Sequence, residues 1–443
     1  MLSTLLAKFQ AHKENLLSSF LFVPTVLVFS AAVLSFLLVA MDHRYPDQQL
    51  SWLFSGSPSA ARSLLSTIAG AVITVISIAF SLTIVALQQA STQFSPRIMR
   101  NFTNDKGNQL VLGTYIATFL YSLLVLRAVR DPGDSSDIAF APAIATSVAL
   151  VLATICVALL VYFINHVANS LQAITIISRV HGELNEQIDA MYPELFVAGN
   201  SLAQPPTHPQ RPYDGEVSVL APKAGFILRI AEDSFSELRF SKASHLIVLP
   251  SVGDFVSQDQ PLAYVQGYSQ LSDERHSLIS AAIIIGKQRS IKQDPMFAIR
   301  QLVDIALKAL SPGINDPTTA SYCIYYLGDS MGRIAQRALP LPVKTFQNPK
   351  AFVHFNKPNW EEFLEAAFSQ IQHEARTNPA VTKVLLETFA KLAEVLPSSE
   401  RAKPLQPLLS TAREQMAGKT FDKLRRKQLL TIIDNTEKSL RRI

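Results

Sequence analysis

Residues 64–90, LLSTIAGAVITVISIAFSLTIVALQQA, decide the fold, because this stretch contains no Asp, Glu, Lys or Arg. A helix needs about 20 apolar residues to cross the hydrocarbon core of a bilayer. Three further stretches also meet that requirement. Since backbone groups in lipid must be paired within the segment, all four are predicted to be transmembrane helices. Their predicted bounds are 16–41, 64–90, 109–126 and 138–164.

The composition supports a division of the chain at about residue 178. Hydrophobic residues make up 48% of the chain and charged residues only 17%, against roughly 25% charged in a typical soluble protein. The deficit of charge lies in the first 178 residues, which we interpret as the transmembrane domain. The first apolar stretch lacks a following small-residue cleavage site, so a retained helix is expected rather than a signal peptide.

Basic residues near the helix ends predict the orientation in the membrane. One side has six Lys or Arg residues and the other has four. The six are Lys8, Lys13, Arg97, Arg100, Lys106 and Arg179. This bias predicts a multi-pass membrane protein with both termini in the cytoplasm. The lipid bilayer is therefore its first expected partner.

Helix two has a stripe of small and polar residues at steps of three and four, with one gap. The stripe consists of Ser63, Thr67, Gly70, Thr74, Ser77, Ser81 and Gln88. One interpretation is a water-facing wall of a pore or substrate path. The other is tight helix–helix packing, which also selects small residues. Thr114, Thr118 and Ser122 form a weaker stripe on helix three.

The predicted spans contain no Asp or Glu. Carriers coupled to protons or sodium ions usually need a carboxylate within the membrane. The sequence therefore argues against coupled transport.

After the last span, residues 179–213 are interpreted as a helical extension and a Pro-rich linker, and residues 214–268 as a small β module. The order APKAGFI, VGDFV and PLAYV resembles the barrel-sandwich modules of lipoyl and biotin carriers and of membrane-fusion adaptors. Carrier modules present a lysine at a hairpin tip, and the tip at residues 251–254 has none. An interaction module without a cofactor is therefore expected, with Val252-Gly253-Asp254 as a hairpin turn.

A helical motif region is predicted at residues 269–345. Asp294-Pro295 and Asp316-Pro317 each combine an N-cap with a proline at the first helical position, which predicts two helix starts. Around the second start lie four polar residues, Asn315, Asp316, Thr318 and Thr319. They can hold an anion or small ligand through backbone N–H groups, or they can simply cap the helix.

Residues 346–443 are predicted to be helical. Their last part, residues 399–443, has a net charge of +6. We interpret this tail as a solvated helix face rather than a surface that faces anionic lipid or binds nucleic acid.

Two motifs resemble those of a bacterial family of predicted membrane proteins, domain-of-unknown-function family 2254. They are FSLTIVALQQASTQFSPRIMRNF at 80–102 and ALKALSPGINDPTTA at 306–320. The resemblance implies the same membrane topology and an inner-membrane location, and it implies no activity.

No catalytic motif is present, since the sequence lacks a P-loop, GxSxG, HExxH and CxxC. The Cys and His spacing also predicts no metal site. Two functions remain. One is an oligomeric channel or passive transporter, built from copies of this chain and gated by its cytoplasmic part. The other is a membrane-anchored sensor or scaffold that binds a cytoplasmic protein or a small ligand.

Overall fold

The structure is a computed structural model, and it describes nine segments of the chain. These are residues 21–44, 54–93, 105–130, 139–195, 216–238, 244–291, 293–346, 351–417 and 422–442. Between Gln172 and Ala173 the chain divides into two compact bodies, called here the membrane unit and the C-terminal unit.

The described part of the membrane unit contains four helices that are long and apolar enough to cross a bilayer. They are α1 (Phe22–Arg44), α2 (Pro58–Gln93), α3 (Lys106–Ala128) and α4 (Ala143–Ser170). At ~1.5 Å per residue α2 is ~54 Å long, so it extends well beyond a hydrocarbon core of roughly 30 Å. The predicted four-helix membrane fold is confirmed.

Helix α3 forms the centre of the membrane unit, because it contacts α1, α2 and α4. Its buried tyrosines find acceptors on α4, where Tyr115 donates to the Cys156 carbonyl at 3.2 Å and Tyr121 to the Ala145 carbonyl at 2.9 Å. Two of the three small polar residues predicted on this helix, Thr118 and Ser122, are fully buried. These two therefore serve packing inside the unit and face no water path.

A carboxylate lies just beyond the predicted end of the first span, in the last turn of α1. Helix α1 continues to Arg44 and includes Asp42, whose exposure is only 6%. The two carboxylate oxygens of Asp42 accept from the backbone N–H groups of Ile144, at 2.9 Å, and Ala145, at 3.0 Å. These belong to the first turn of α4, where N–H groups lack helical partners and carry partial positive charge. Asp42 therefore caps the N-terminus of α4.

Replacing Asp42 by Ala should lower the stability of the membrane unit by about 1–2 kcal/mol, since a helix cap is lost at a buried site. Asp42→Asn should cost less, because its amide oxygen still accepts one of the two bonds. Thermal unfolding of the detergent-solubilised protein measures both effects. Wild-type stability in the Ala variant would mean that this cap contributes nothing.

The C-terminal unit begins with α5 (Ala173–Met191) and then forms two β-sheets. The strands are β1 (Glu216–Leu220), β2 (Gly225–Ile230), β3 (Ser244–Val248), β4 (Phe255–Val256), β5 (Pro261–Gln266), β6 (Ile283–Gly286), β7 (Val343–Phe346) and β8 (Ala351–Phe355). One sheet has the order β1-β5-β3-β8-β7 and the other β4-β2-β6. All pairs are antiparallel except β3 with β8.

The sheets extend beyond the module predicted at residues 214–268, because β6, β7 and β8 come from later in the chain. Side chains from both sheets form one hydrophobic core, which includes Ile227, Leu246 and Val353. The turn at Val252-Gly253-Asp254 is not a hairpin as predicted. It leads from β3 in the first sheet to β4 in the second, and Asp254 stabilises it by accepting from the Ser251 N–H at 2.7 Å.

Helices complete the C-terminal unit. They are α6 (Asp273–Ala282), α7 (Pro295–Leu310), α8 (Pro317–Ala335), α9 (Trp360–Ala375), α10 (Pro379–Val395), α11 (Ser399–Ala402), α12 (Leu405–Ala417) and α13 (Lys423–Leu440). Both predicted Asp-Pro helix starts are confirmed, since Asp294 caps α7 and Asp316 caps α8. Helix α8 packs against α5, α7 and α10, so the motif region lies at the centre of this helical layer.

Candidate functional site

The polar stripe on α2 lies on the outside of the membrane unit. Every residue predicted for it is exposed: Ser63, Thr67, Gly70, Thr74, Ser77, Ser81 and Gln88. A Cβ atom added at Gly70 would meet nothing within 4 Å. From Ser63 to Gln88 the stripe is ~38 Å long at ~1.5 Å per residue, which is enough to cross the hydrocarbon core.

The opposite side of α2 is apolar and packs against α3 and α4. Its buried residues are Ala61, Leu65, Ile68, Ala69, Val72, Ala79 and Ala86. With ~3.6 residues per turn, their mean direction is about 180° from that of the stripe. Packing among the described helices of one chain therefore does not explain the stripe. Its partner lies outside these four helices, and water, lipid and another protein copy are the candidates.

Most hydroxyl groups along the stripe donate their hydrogen bonds to backbone carbonyls of α2 itself. Thr67, Thr74, Ser77 and Ser81 each donate to the carbonyl four residues earlier, at 2.8–3.0 Å. With the proton held inward, the oxygen lone pairs remain as acceptors on the outer surface. The stripe is thus an uncharged, acceptor-bearing surface.

The second predicted site, at the start of α8, is a helix cap. The Asp316 carboxylate accepts from the N–H groups of Thr318 and Thr319, both at 3.1 Å, and from the Thr319 hydroxyl at 2.6 Å. Asn315 beside it is exposed and has a φ of 48°. Burial alone would raise the pKa of Asp316, but the bonds from Thr319 and Thr318 outweigh it and lower that pKa. The N–H groups suggested for an anion are already bonded to a negative charge.

Replacing Asp316 by Ala should cost about 1 kcal/mol at neutral pH, because the cap is lost. The pKa of Asp316 is lower in the folded protein than its ordinary value of 3.8. Its contribution is therefore present above that value and is lost as pH falls through the lower, folded pKa. Thermal unfolding of both proteins from pH 7 downward should show the two stabilities converging in acid. If the stability difference between the two proteins does not change with pH, the charge of the Asp316 carboxylate is not its cause.

Sequence reasoning missed an ion pair behind the first Asp-Pro motif, in which the carboxylate is buried and the arginine is partly exposed. Arg289 donates from Nε to Asp294 Oδ2 at 2.9 Å and from Nη2 to Oδ1 at 3.0 Å. Gly253, with a φ of 96°, lies against this pair, since a Cβ there would be 2.5 Å from Arg289 Nη2 and 2.6 Å from Asp294 Oδ2. The pair thus joins the β turn to the start of α7. The Asp-Pro signal identified the cap, but no motif marked Arg289, five residues earlier, as its partner.

The described residues hold no group of three His, Cys, Asp or Glu side chains that could bind a metal ion. Cys156 and Cys323 are buried and unpaired in disulfides. Burial raises the pKa of the Cys323 thiol, so it stays protonated.

Four apolar helices followed by a sheet-rich region and C-terminal helices define a multi-pass helical membrane protein. The chain belongs to the family described as predicted membrane protein, DUF2254, whose model matches residues 17–391. This confirms the resemblance seen in the two motifs.

Two mycobacterial relatives are 33% identical over 346 residues: uncharacterized protein Rv1290c of Mycobacterium tuberculosis strain H37Rv and uncharacterized protein Mb1321c of Mycobacterium bovis. The match covers 77% of this chain and 65% of each relative, so the chain corresponds to just under two thirds of their length. No solved structure matches the chain.

Proposed function

We propose that the protein is an oligomeric channel or passive transporter, in which copies of α2 surround a shared polar path and the C-terminal unit acts as its gate. The exposed stripe carries the proposal. A single helix cannot enclose a path, so its other walls must come from further copies of the chain, arranged most simply around a rotation axis. The proposal assigns no catalysis.

The chemistry of the stripe suggests what crosses. It bears no charge, and its outward lone pairs can replace part of the water around a small cation. Small monovalent cations and water are therefore the proposed permeants. Four of the five stripe hydroxyls already donate to the backbone and need no outside acceptor, so a dry contact between two copies is the competing arrangement.

The orientation belongs to the proposal as well. The excess of Lys and Arg at the predicted cytoplasmic helix ends supports an orientation with both termini inside, and the family resemblance supports a bacterial inner-membrane location. The C-terminal unit would then lie in the cytoplasm, where it can respond to cytoplasmic ligands or proteins.

A membrane-anchored sensor or scaffold is the second candidate. It is favoured by the size and independence of the C-terminal unit, which has a hydrophobic core of its own. Ligand binding without any flux would favour this function over a channel.

Cysteine cross-linking tests whether α2 meets α2 of another copy. Ser77→Cys in a chain without Cys156 and Cys323 should form disulfide-linked dimers under mild oxidation. Phe80→Cys is the matched control, since Phe80 is 52% exposed but lies about 100° around the helix from the stripe. Gel electrophoresis without reductant measures the yield. Equal yields from the two positions, or none from Ser77→Cys, would contradict the proposed arrangement.

A further inference from the structure

The C-terminal unit has an open groove between α8 and α10, with a volume of about 920 Å³. Its walls include Tyr325, Gly332 and Arg333 from α8, and Lys391 and Val395 from α10. Small-molecule sites commonly measure roughly 300–1,000 Å³, so the groove is large enough for an organic ligand of moderate size.

Glycines on α8 shape the groove. A Cβ added at Gly328 would be 2.4 Å from Cγ2 of Thr388, so the two helices touch closely there. One turn later, a Cβ at Gly332 would reach only ordinary contact distance, 3.6 Å from Val395 and 3.8 Å from Leu392. This part of the groove is therefore smooth and apolar. A flat apolar group can lie on it without displacing polar atoms.

An aromatic ring adjoins the same surface. Tyr325 is 45% exposed, and Nζ of Lys391 is 6.0 Å from the centre of its ring. A ligand ring beside Tyr325 would gain aromatic contact. Lys391 is within reach of a charged group attached to that ring.

The residues that line the groove include three cations, Arg333, Arg337 and Lys391, and two carboxylates, Glu194 and Asp329. Asp329 is hydrogen-bonded to His181, with 2.7 Å between its Oδ2 and the His181 Nε2. Arg333 and Arg337 both pair with one carboxylate, Asp189, and Arg337 also lies 3.8 Å from Glu194. Among the described residues, no carboxylate lies within ion-pair distance of Lys391.

A buried arginine adds to this charge. Arg401 is 6% exposed, and its Nη2 donates to the Arg337 carbonyl at 3.1 Å. Its Nη1 has no hydrogen-bond partner in the part of the chain that the structure describes. Nor does any described carboxylate form an ion pair with it. Arg401 is not among the residues that line the groove, so its charge can act on a bound anion only over a distance and not by direct contact.

We propose that this groove binds an organic anion that combines a flat aromatic ring with a phosphate group. The ring lies on the glycine surface beside Tyr325, and the phosphate meets Lys391 and the exposed edge of Arg333. This assignment does not depend on a transport path along α2. In a channel the ligand would act on the gate, and in a sensor it would be the signal.

Equilibrium dialysis with 1-naphthyl phosphate tests the site on the full chain in zwitterionic nanodiscs. Binding should saturate at one ligand per chain, and inorganic phosphate should bind at least tenfold more weakly because it has no ring. Lys391→Ala should weaken binding about tenfold. Lys383→Ala should leave it unchanged, because this exposed lysine lies on the same helix outside the groove, where it pairs with Glu387.

A second variant distinguishes loss of the binding site from loss of folding. Gly332→Leu fills the apolar part of the groove and should abolish binding of 1-naphthyl phosphate. Circular dichroism and thermal unfolding of this variant should remain close to those of the wild type. Absence of saturable binding would overturn the proposal, and so would equal affinity for inorganic phosphate or normal binding by Lys391→Ala. A change in flux is not needed for any of these results.

Discussion

Leucine at both Ser77 and Ser81 should reduce potassium flux through the reconstituted protein to the level of protein-free liposomes. These two residues lie one turn apart on the exposed stripe and present acceptor oxygens outward. Leucine removes those oxygens and adds apolar bulk, which closes a narrow path by excluding water. Neither side chain packs inside the chain, so the variant should still fold.

Release of trapped potassium, followed with a potassium-sensitive dye, measures this effect. Phe80→Leu is the matched control, because it changes an exposed apolar residue away from the stripe and should leave the flux intact. The proposed cation preference also predicts slower release of chloride than of potassium. Unchanged potassium release in the double leucine variant would exclude α2 from the path.

Replacing Arg289 by Ala should destabilise the C-terminal unit by about 3–5 kcal/mol, the usual cost of leaving one charge of a buried pair uncompensated. The charge left behind is the Asp294 carboxylate, which is 2% exposed. The Phe297 N–H still donates to it at 3.0 Å, but this bond replaces only a small part of what Arg289 provides.

The loss of stability in Arg289→Ala should also depend on pH. Burial already raises the pKa of Asp294, and the charge and hydrogen bonds of Arg289 oppose that rise. Without Arg289 the folded pKa rises further above the ordinary value of 3.8. Between pH 3.8 and the raised pKa, the folded variant binds a proton that the unfolded chain lacks. The stability of the variant therefore falls as pH rises through this range and recovers in acid. The destabilisation should therefore be smaller at pH 5 than at pH 8.

Urea unfolding followed by the emission of Trp360 measures both effects, since this residue is buried in α9. Trp52→Phe removes the only other tryptophan. Adding Asp294→Asn to Arg289→Ala removes the uncompensated charge and keeps an acceptor for Phe297, so it should recover part of the stability. If the double variant is no more stable than Arg289→Ala alone, the uncompensated carboxylate is not the cause.

The sequence predicts the features that depend on local patterns. Uncharged stretches of sufficient length located all four membrane helices, and Asp294-Pro295 and Asp316-Pro317 located the starts of α7 and α8. Each signal lies within a few residues of the structure that it specifies. Their physical origin is equally local: lipid excludes unpaired backbone groups, and a carboxylate binds the exposed N–H groups of a helix start.

Features that depend on distant parts of the chain were not predictable in this way. The periodicity of α2 showed that its polar residues share a face, but it could not show which face the other helices cover. Strands β7 and β8 join a sheet that begins more than a hundred residues earlier. The packing of Gly253 against the Arg289–Asp294 pair, and the groove between α8 and α10, likewise arise only when separate elements pack.

Accessibility of Ser77→Cys to a charged, membrane-impermeant thiol reagent tests the central claim most directly. The variant is reconstituted in liposomes in a chain without Cys156 and Cys323, and modification is compared with that of Phe80→Cys. If α2 lines a water-filled path, the reagent should modify Ser77→Cys rapidly and spare Phe80→Cys, which faces lipid. Protection of both positions would place the stripe in a dry contact or in lipid, and would contradict the proposed path.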